Sequence, residues 1–211
     1  MPLALRGGKT RFVARREFRP LNLLCSEALR SRVWDESSPA AGGSGWPDMC
    51  EHCGCREVEP IAELMDEHYA LLDEAHLVRR AMSEGDRATA LAHLSSLVRH
   101  LDRHVRREED GIFAALRAED EFVEEVEQLE KEHRSFDDAI ADLDPDGDEF
   151  ERLVSDLLRD LDEHVERENL GIFPVSIVTL GTRGWAVVEK ARLENPTFLD
   201  KDPEHRARRE E

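Results

Sequence analysis

His104-Val-Arg-Arg-Glu108-Glu-Asp-Gly111-Ile-Phe113-Ala and His164-Val-Glu-Arg-Glu168-Asn-Leu-Gly171-Ile-Phe173-Pro are two copies of one pattern, identical at seven of eleven positions and sixty residues apart. In each copy a glutamate follows a histidine by four residues, so one turn of α-helix places imidazole and carboxylate on the same face. A helix pair duplicated in this way is the signature of a bundle with an approximate two-fold axis through a central site.

Working outward from the copies, the apolar residues keep a helical period from Val58 onward and fall into four blocks separated by turn signals. Ile61, Leu64, Met65, Leu71, Leu72, Ala75, Val78 and Met82 form the first, which stops at Gly85-Asp86. The second runs from Leu91 to Ala115 and ends near residues 117–120. The third runs from Phe122 to Leu143 and ends at Asp144-Pro145-Asp146-Gly147, and the fourth runs from Phe150 through Ile172 to Pro174. Connections this short force successive helices to run antiparallel. The sequence therefore predicts an all-α, up-down-up-down four-helix bundle, capped by a shorter fifth helix around residues 175–193.

Each block carries one histidine where its apolar stripe points inward: His68, His104, His133 and His164. Two of the four add the glutamates of the repeat. Counting from the shared turns at ~1.5 Å per residue puts all six side chains on one level. The match is close around Gly85 and Glu119 and looser around Asp146, where the loop is longer and contains proline. A buried carboxylate is costly unless paired, and two facing each other need a cation between them. Four imidazoles and two carboxylates exceed the needs of one tetrahedral ion. A dinuclear site bridged by Glu108 and Glu168 uses them all and leaves coordination positions free for a small molecule. Mixed nitrogen and oxygen ligation suits iron, with manganese and zinc as alternatives. A hydrogen-bonded layer of core histidines would account for one such residue far more readily than for six in a duplicated motif.

Charged residues make up 36% of the 211-residue chain and aromatics 6%, a balance suited to amphipathic helices with solvated outer faces. A formal charge of −19 argues against nucleic acid and anionic membranes as partners and favours cations. That charge is uneven. Residues 1–48 hold eight Lys/Arg against five Asp/Glu, a balance of +3, leaving −22 for the remainder. This segment has no sustained period and ends in a Ser/Pro/Ala/Gly-rich run, so it is expected to be a disordered extension. Met49 stands immediately before the regular pattern, which suggests an over-extended reading of the start; intact mass of the native protein would decide that. No stretch has signal-peptide or membrane-spanning character, and the cytoplasm is the expected location. The expected organisation is thus 1–48 extension, 49–57 Cys-rich leader, 58–192 bundle and 193–211 charged, unstructured tail.

In the leader, Cys50, Cys53 and Cys55 with His52 form a compact group of soft ligands, while Cys25 stands apart. The group is open to zinc or copper binding, to redox exchange and to completing a site with a partner protein. A single Cys-x-x-Cys without a second half favours free thiols over a zinc site.

His68, His104-x-x-x-Glu108 with Glu109 and Phe113, Glu132-His133, and His164-x-x-x-Glu168 with Phe173-Pro174 together resemble the hemerythrin-like HHE cation-binding family over about residues 58–190. The Cys50-Glu-His-Cys53-Gly-Cys55 opening is similar to the leader of many actinobacterial members. The resemblance implies a carboxylate-bridged di-iron centre that handles oxygen or peroxide species, with His68, His104, Glu108, His133, His164 and Glu168 as ligands. The sequence departs from the oxygen-carrying hemerythrins in two places. His133-x-x-x-Asp137 stands where they have His-x-x-x-His, and the last carboxylate follows its histidine by four residues rather than five. One imidazole fewer disfavours reversible oxygen carriage.

Lesser candidates surround this set. Asp137 is expected to be a solvated flank residue rather than a seventh ligand. His100, a turn before His104, lies at the edge of the stripe, as a supporting partner or an extra ligand. Tyr69 is expected on the outer face. Gly111 and Gly171, seven residues after the ligand histidines, are expected to make room beside the metals. His52, His76, His93 and His205 read as solvated. Two function classes result: a protein that binds or senses O2, NO, iron or redox state, and a peroxide-consuming or nitric-oxide-related oxidoreductase. Ferritin-like storage needs two Glu-x-x-His motifs, and only Glu130-x-x-His133 fits.

Overall fold

The computed structural model describes residues 54–199. The expectations for residues 1–48, for Cys25, Cys50, Cys53, His52 and His205, and for the tail beyond 199 lie outside these residues, and of Cys55 only the backbone is described. After a 3₁₀ turn at Cys55–Glu57, helices α1 (Glu59–Ser83) and α2 (Arg87–Glu108) form the first hairpin. A π-helical turn at Glu109–Phe113 then carries the second rod into α3 (Ala114–Ala118). Next come α4 (Val123–Ala141) and α5 (Phe150–Arg167), the latter extended by a second π-helical turn at Glu168–Ile172 into α6 (Phe173–Thr179). Helix α7 (Thr182–Glu194) completes the order. The described residues are all-α, as the periodicity predicts.

The local chemistry explains the boundaries. Pro60 occupies the first turn of α1, where a missing N–H costs nothing. At its other end Gly85 takes a φ of +74°, Asp86 N–H donates to Ala81 O at 2.9 Å and Gly85 N–H to Met82 O at 3.0 Å. This pairing closes the last carbonyls with a left-handed glycine. Asp86 then caps α2 by accepting from Thr89 N–H at 3.0 Å. Three residues thus reverse the chain.

Two boundaries differ from the sequence reading. The fourth rod continues through Pro174 to Thr179, because the preceding π turn has already interrupted the i→i−4 ladder that proline would break. The terminal helix accordingly starts at Thr182, not near residue 175. The assignment of 193–211 to an unstructured tail also fails for residues 197–199. Phe198 is 4% exposed and stacks on His100 with ring centroids 4.4 Å apart, and Arg103 donates to Pro196 O at 2.8 Å.

The core divides into two apolar clusters. One gathers Leu71, Val78, Leu97, Phe150, Leu158 and Leu161 near the α1–α2 turn; the other gathers Ile61, Met65, Ile112, Phe113, Leu116 and Phe173 toward the opposite end. Between them His68, His104, His133 and His164 are all buried, with Glu108 and Glu168 fully enclosed. Among the described residues no helix is long and apolar enough to cross a membrane.

Because Phe198 fills part of the first cluster, Phe198→Ala is expected to cost about 3 kcal/mol, as in other aromatic truncations. Urea unfolding of the variant measures it, and a loss within error of zero would show that residues 197–199 contribute nothing to the fold.

Candidate metal centre

The six donors that the sequence places on one level do meet. His68, His104, Glu108 and Glu168 form one group and Glu108, His133, His164 and Glu168 a second, with the facing atoms of each group within 4.8 Å of one another. The two glutamates belong to both. His104 Nε2 lies 3.1 Å from Glu108 Oε1, and His68 Nε2 lies 3.1 Å from Glu168 Oε2. Across the centre His164 Nε2 lies 3.2 Å from Glu168 Oε1, and His133 Nε2 lies 3.5 Å from Glu108 Oε2. Donors held ~2.1 Å from one ion at right angles would sit ~3.0 Å apart, so these separations are those of ligand edges.

Hydrogen bonding sharpens the point. The Nε2 atoms of His68 and His104 and both carboxylate oxygens of Glu108 and Glu168 are buried without a hydrogen-bond partner. Buried polar groups are nearly always paired, so this many orphans facing one point calls for a cation. On their outer edges, by contrast, all four imidazoles are held. His104 Nδ1 donates to Glu67 Oε2 at 2.8 Å and His164 Nδ1 to Glu132 Oε2 at 2.9 Å. His133 Nδ1 donates to Glu109 Oε1 at 2.9 Å, and His68 Nδ1 to Asn169 Oδ1 at 3.0 Å. Each bond fixes the tautomer and turns Nε2 inward, the arrangement of a histidine that ligates a metal.

This outer shell repeats the duplication. Glu67 and Glu132 each precede one of the four central histidines and reach the His of the neighbouring helix; Glu109 and Asn169 each follow one of the two central glutamates and reach across the bundle. Arg107 and Arg167, equivalent in the repeat, pair with Glu67 and Glu132 respectively. Phe113 stacks on His133 and Phe173 on His68, with centroids 5.7 and 5.4 Å apart. The symmetry is broken in its depth. Around His104 the support is sealed: Arg107 is buried and also pairs with Glu63 at 2.7 Å, and Glu63 accepts from Arg192 of α7 at 2.9 Å. Around His133 it is open, since the Glu109 side chain is 38% exposed.

The π turns bear on the glycines. Widening the helix at Glu109–Phe113 and Glu168–Ile172 rotates the next residues away from the line of His104 and His164. Gly111 therefore faces α7, where a Cβ would meet Ala191 at 3.4 Å, and Gly171 faces nothing within 4 Å. Neither makes room beside the centre, which corrects the sequence expectation. Asp137 is exposed and belongs to neither donor group. His100 pairs with Glu74 at 2.8 Å and supports the terminal segment rather than a ligand. Tyr69, 38% exposed, lies on the outer face, as expected. His76 is exposed and His93 partly so.

Of the supporting residues, Glu67, Asn169, Arg107, Glu63 and Arg192 have no part in the sequence reading, and Glu132 enters it only within the Glu132-His133 motif. A signal exists for two of them, because Glu immediately precedes a central histidine in both α1 and α4.

Burial opposes charge on His68, His104, His164, Glu108 and Glu168, yet their mutual contacts win. Despite burial, the negative carboxylates of Glu108 and Glu168 close to its Nε2 push His68 up to about 10. His164 rises to about 9 beside Glu168 and Glu132, and His104 is raised too. Glu108 and Glu168 are held low in spite of burial, chiefly by the imidazoliums. Protons and a cation therefore compete for one set of atoms.

A family model described as hemerythrin HHE cation binding domain matches residues 59–176. No curated protein and no solved structure matches the chain.

A histidine whose folded pKa is raised adds stability that is complete below its unfolded value of 6.5 and is lost as pH climbs through the folded value. Chelator-treated protein should therefore melt at progressively lower temperature from pH 6.5 to about 10. A flat calorimetric profile over that range would show that the carboxylates do not hold the imidazoles charged. Arg107→Met leaves Glu67 buried without its guanidinium and is expected to cost about 3 to 5 kcal/mol of unfolding free energy.

Proposed function

Because the chain belongs to the hemerythrin HHE cation-binding domain family, we propose that the six converging side chains hold a pair of iron ions bridged by Glu108 and Glu168, and that the protein binds or senses a small ligand or redox state there. The observation that carries this reading is the set of buried, unpartnered Nε2 and carboxylate oxygen atoms aimed at one another. Nitrogen and oxygen donors in this ratio suit iron over softer ions. When bound, iron would supply open coordination positions and one-electron redox chemistry to dioxygen, nitric oxide or peroxide.

The chain's own residues have three tasks in this scheme. His68, His104, His133 and His164 present Nε2, and their outer partners keep the rings from turning. Glu108 and Glu168 supply the negative charge that a cation pair needs; without the cations the same charge holds His68 and His164 protonated at neutral pH, so a metal must displace those protons. The two apolar clusters exclude water from both sides of the layer, which strengthens every charge interaction within it. Binding is favoured over turnover by the pairing of the nearest ionisable groups. Glu67, Glu132 and Glu109 are each engaged with a ligand imidazole, leaving them to orient ligands rather than to pass protons to a substrate.

Protein purified without added metal should carry iron, and His133→Ala or Glu168→Ala should lower iron occupancy and melting temperature together, since binding to the folded state is folding free energy. Melting that is unchanged by a chelator would count against the proposal. Added peroxide should shift the visible spectrum of the oxidised protein without sustained oxygen release; continuous release on an oxygen electrode would instead indicate a peroxide-consuming enzyme.

A further inference from the structure

The two halves of the centre differ in what lies behind them, and the difference points to a route. Resting on the di-iron reading, we propose that the groove between α2 and α4 is the passage by which apolar diatomic gases, dioxygen or nitric oxide, reach the centre at its His133–His164 half.

The groove has a volume of about 750 Å³. Its apolar lining is Val98, Leu101, Val105, Phe136, Ile140 and Ala141, and His133 is the one centre histidine that reaches it. Phe136 lies edge-on against the ring of His164, with centroids 5.2 Å apart. A single layer of side chains thus separates the groove from the donor atoms of this half. The charged residues on the rim are of both signs, and Arg106 is tied to Asp102 at 3.0 Å. Such a rim has little net pull on an anion, while the apolar lining favours small gases that water solvates poorly.

The other half is backed, among the described residues, by a chain of ion pairs. Behind His104 stand buried Glu67 and Arg107, then Glu63, then Arg192 of α7. Phe173 covers the face of His68. Reaching that half would require breaking a buried ion-pair chain, whereas reaching the first requires only side-chain movement of the half-exposed Glu109 and of Phe136. Rotamer changes of this kind occur on fast timescales, so the passage needs no opening of the bundle.

Filling the groove tests this. Val98→Trp and Ile140→Trp lie in the lining and away from the donors. Each should slow nitric oxide association with the reduced protein, and oxidation by dioxygen, by about tenfold or more in stopped-flow, because access sets the on-rate. Iron content and the final spectrum of the nitric oxide adduct should not change. A second measurement needs no metal: xenon NMR of chelator-treated wild-type protein should show a saturable shift that is lost in the filled variants. Unchanged association rates in a folded, iron-loaded variant would overturn the passage, as would xenon silence in chelator-treated wild type that carried two irons before treatment. Protein that takes up xenon yet binds no iron would overturn the reading of the centre, and the passage with it.

Discussion

Two carboxylates, Glu108 and Glu168, face each other in a core where neither is exposed to solvent. Like charges at such a place repel, and each has given up its hydration, so the bundle can keep them only if positive charge lies between or around them. The rest of the site is a response to that demand. The histidines surround the carboxylates, and a second ring of carboxylates and an amide surrounds the histidines. Arg107 and Arg167 close the ring around two of those carboxylates. Charge alternates outward from the centre, and the two apolar clusters above and below keep it from being dissipated into water.

The same residues that meet this demand also make the halves unequal. At matching positions of the repeat Glu109 supports His133 and Asn169 supports His68, so one imidazole leans on a carboxylate and its counterpart on an amide. A carboxylate acceptor makes a ligating histidine more basic than an amide does. The His104 side is further locked by Arg107, Glu63 and the terminal helix, whereas the His133 side borders a groove. A duplicated motif has thus become one half locked by ion pairs and one that borders a groove, the division on which the proposed route for a small ligand rests.

Much of this was legible in the chain. Helical period, short polar turns and the repeat located the four rods, and a count of residues from each turn brought six donors to one level. The outer shell was harder to read, because Glu67 and Glu132 sit one residue from a ligand, about 100° around the helix, and their partners belong to neighbouring helices. Gly111 and Gly171 misled for a related reason. Straight α-helical counting puts them on the line of His104 and His164, but the π turns insert a wider loop of backbone between. Thr197 and Phe198 stand in a charged stretch with no period of their own, and only the folded core shows that they are buried.

The most direct measurement is an anomalous difference map from crystals of protein purified without added metal, collected on either side of the iron absorption edge. The account requires two peaks about 3.5 Å apart, a spacing usual for paired ions, with Glu108 and Glu168 spanning both. A single peak, peaks outside the His–Glu layer, or a layer in which the six side chains bond only to one another would contradict it.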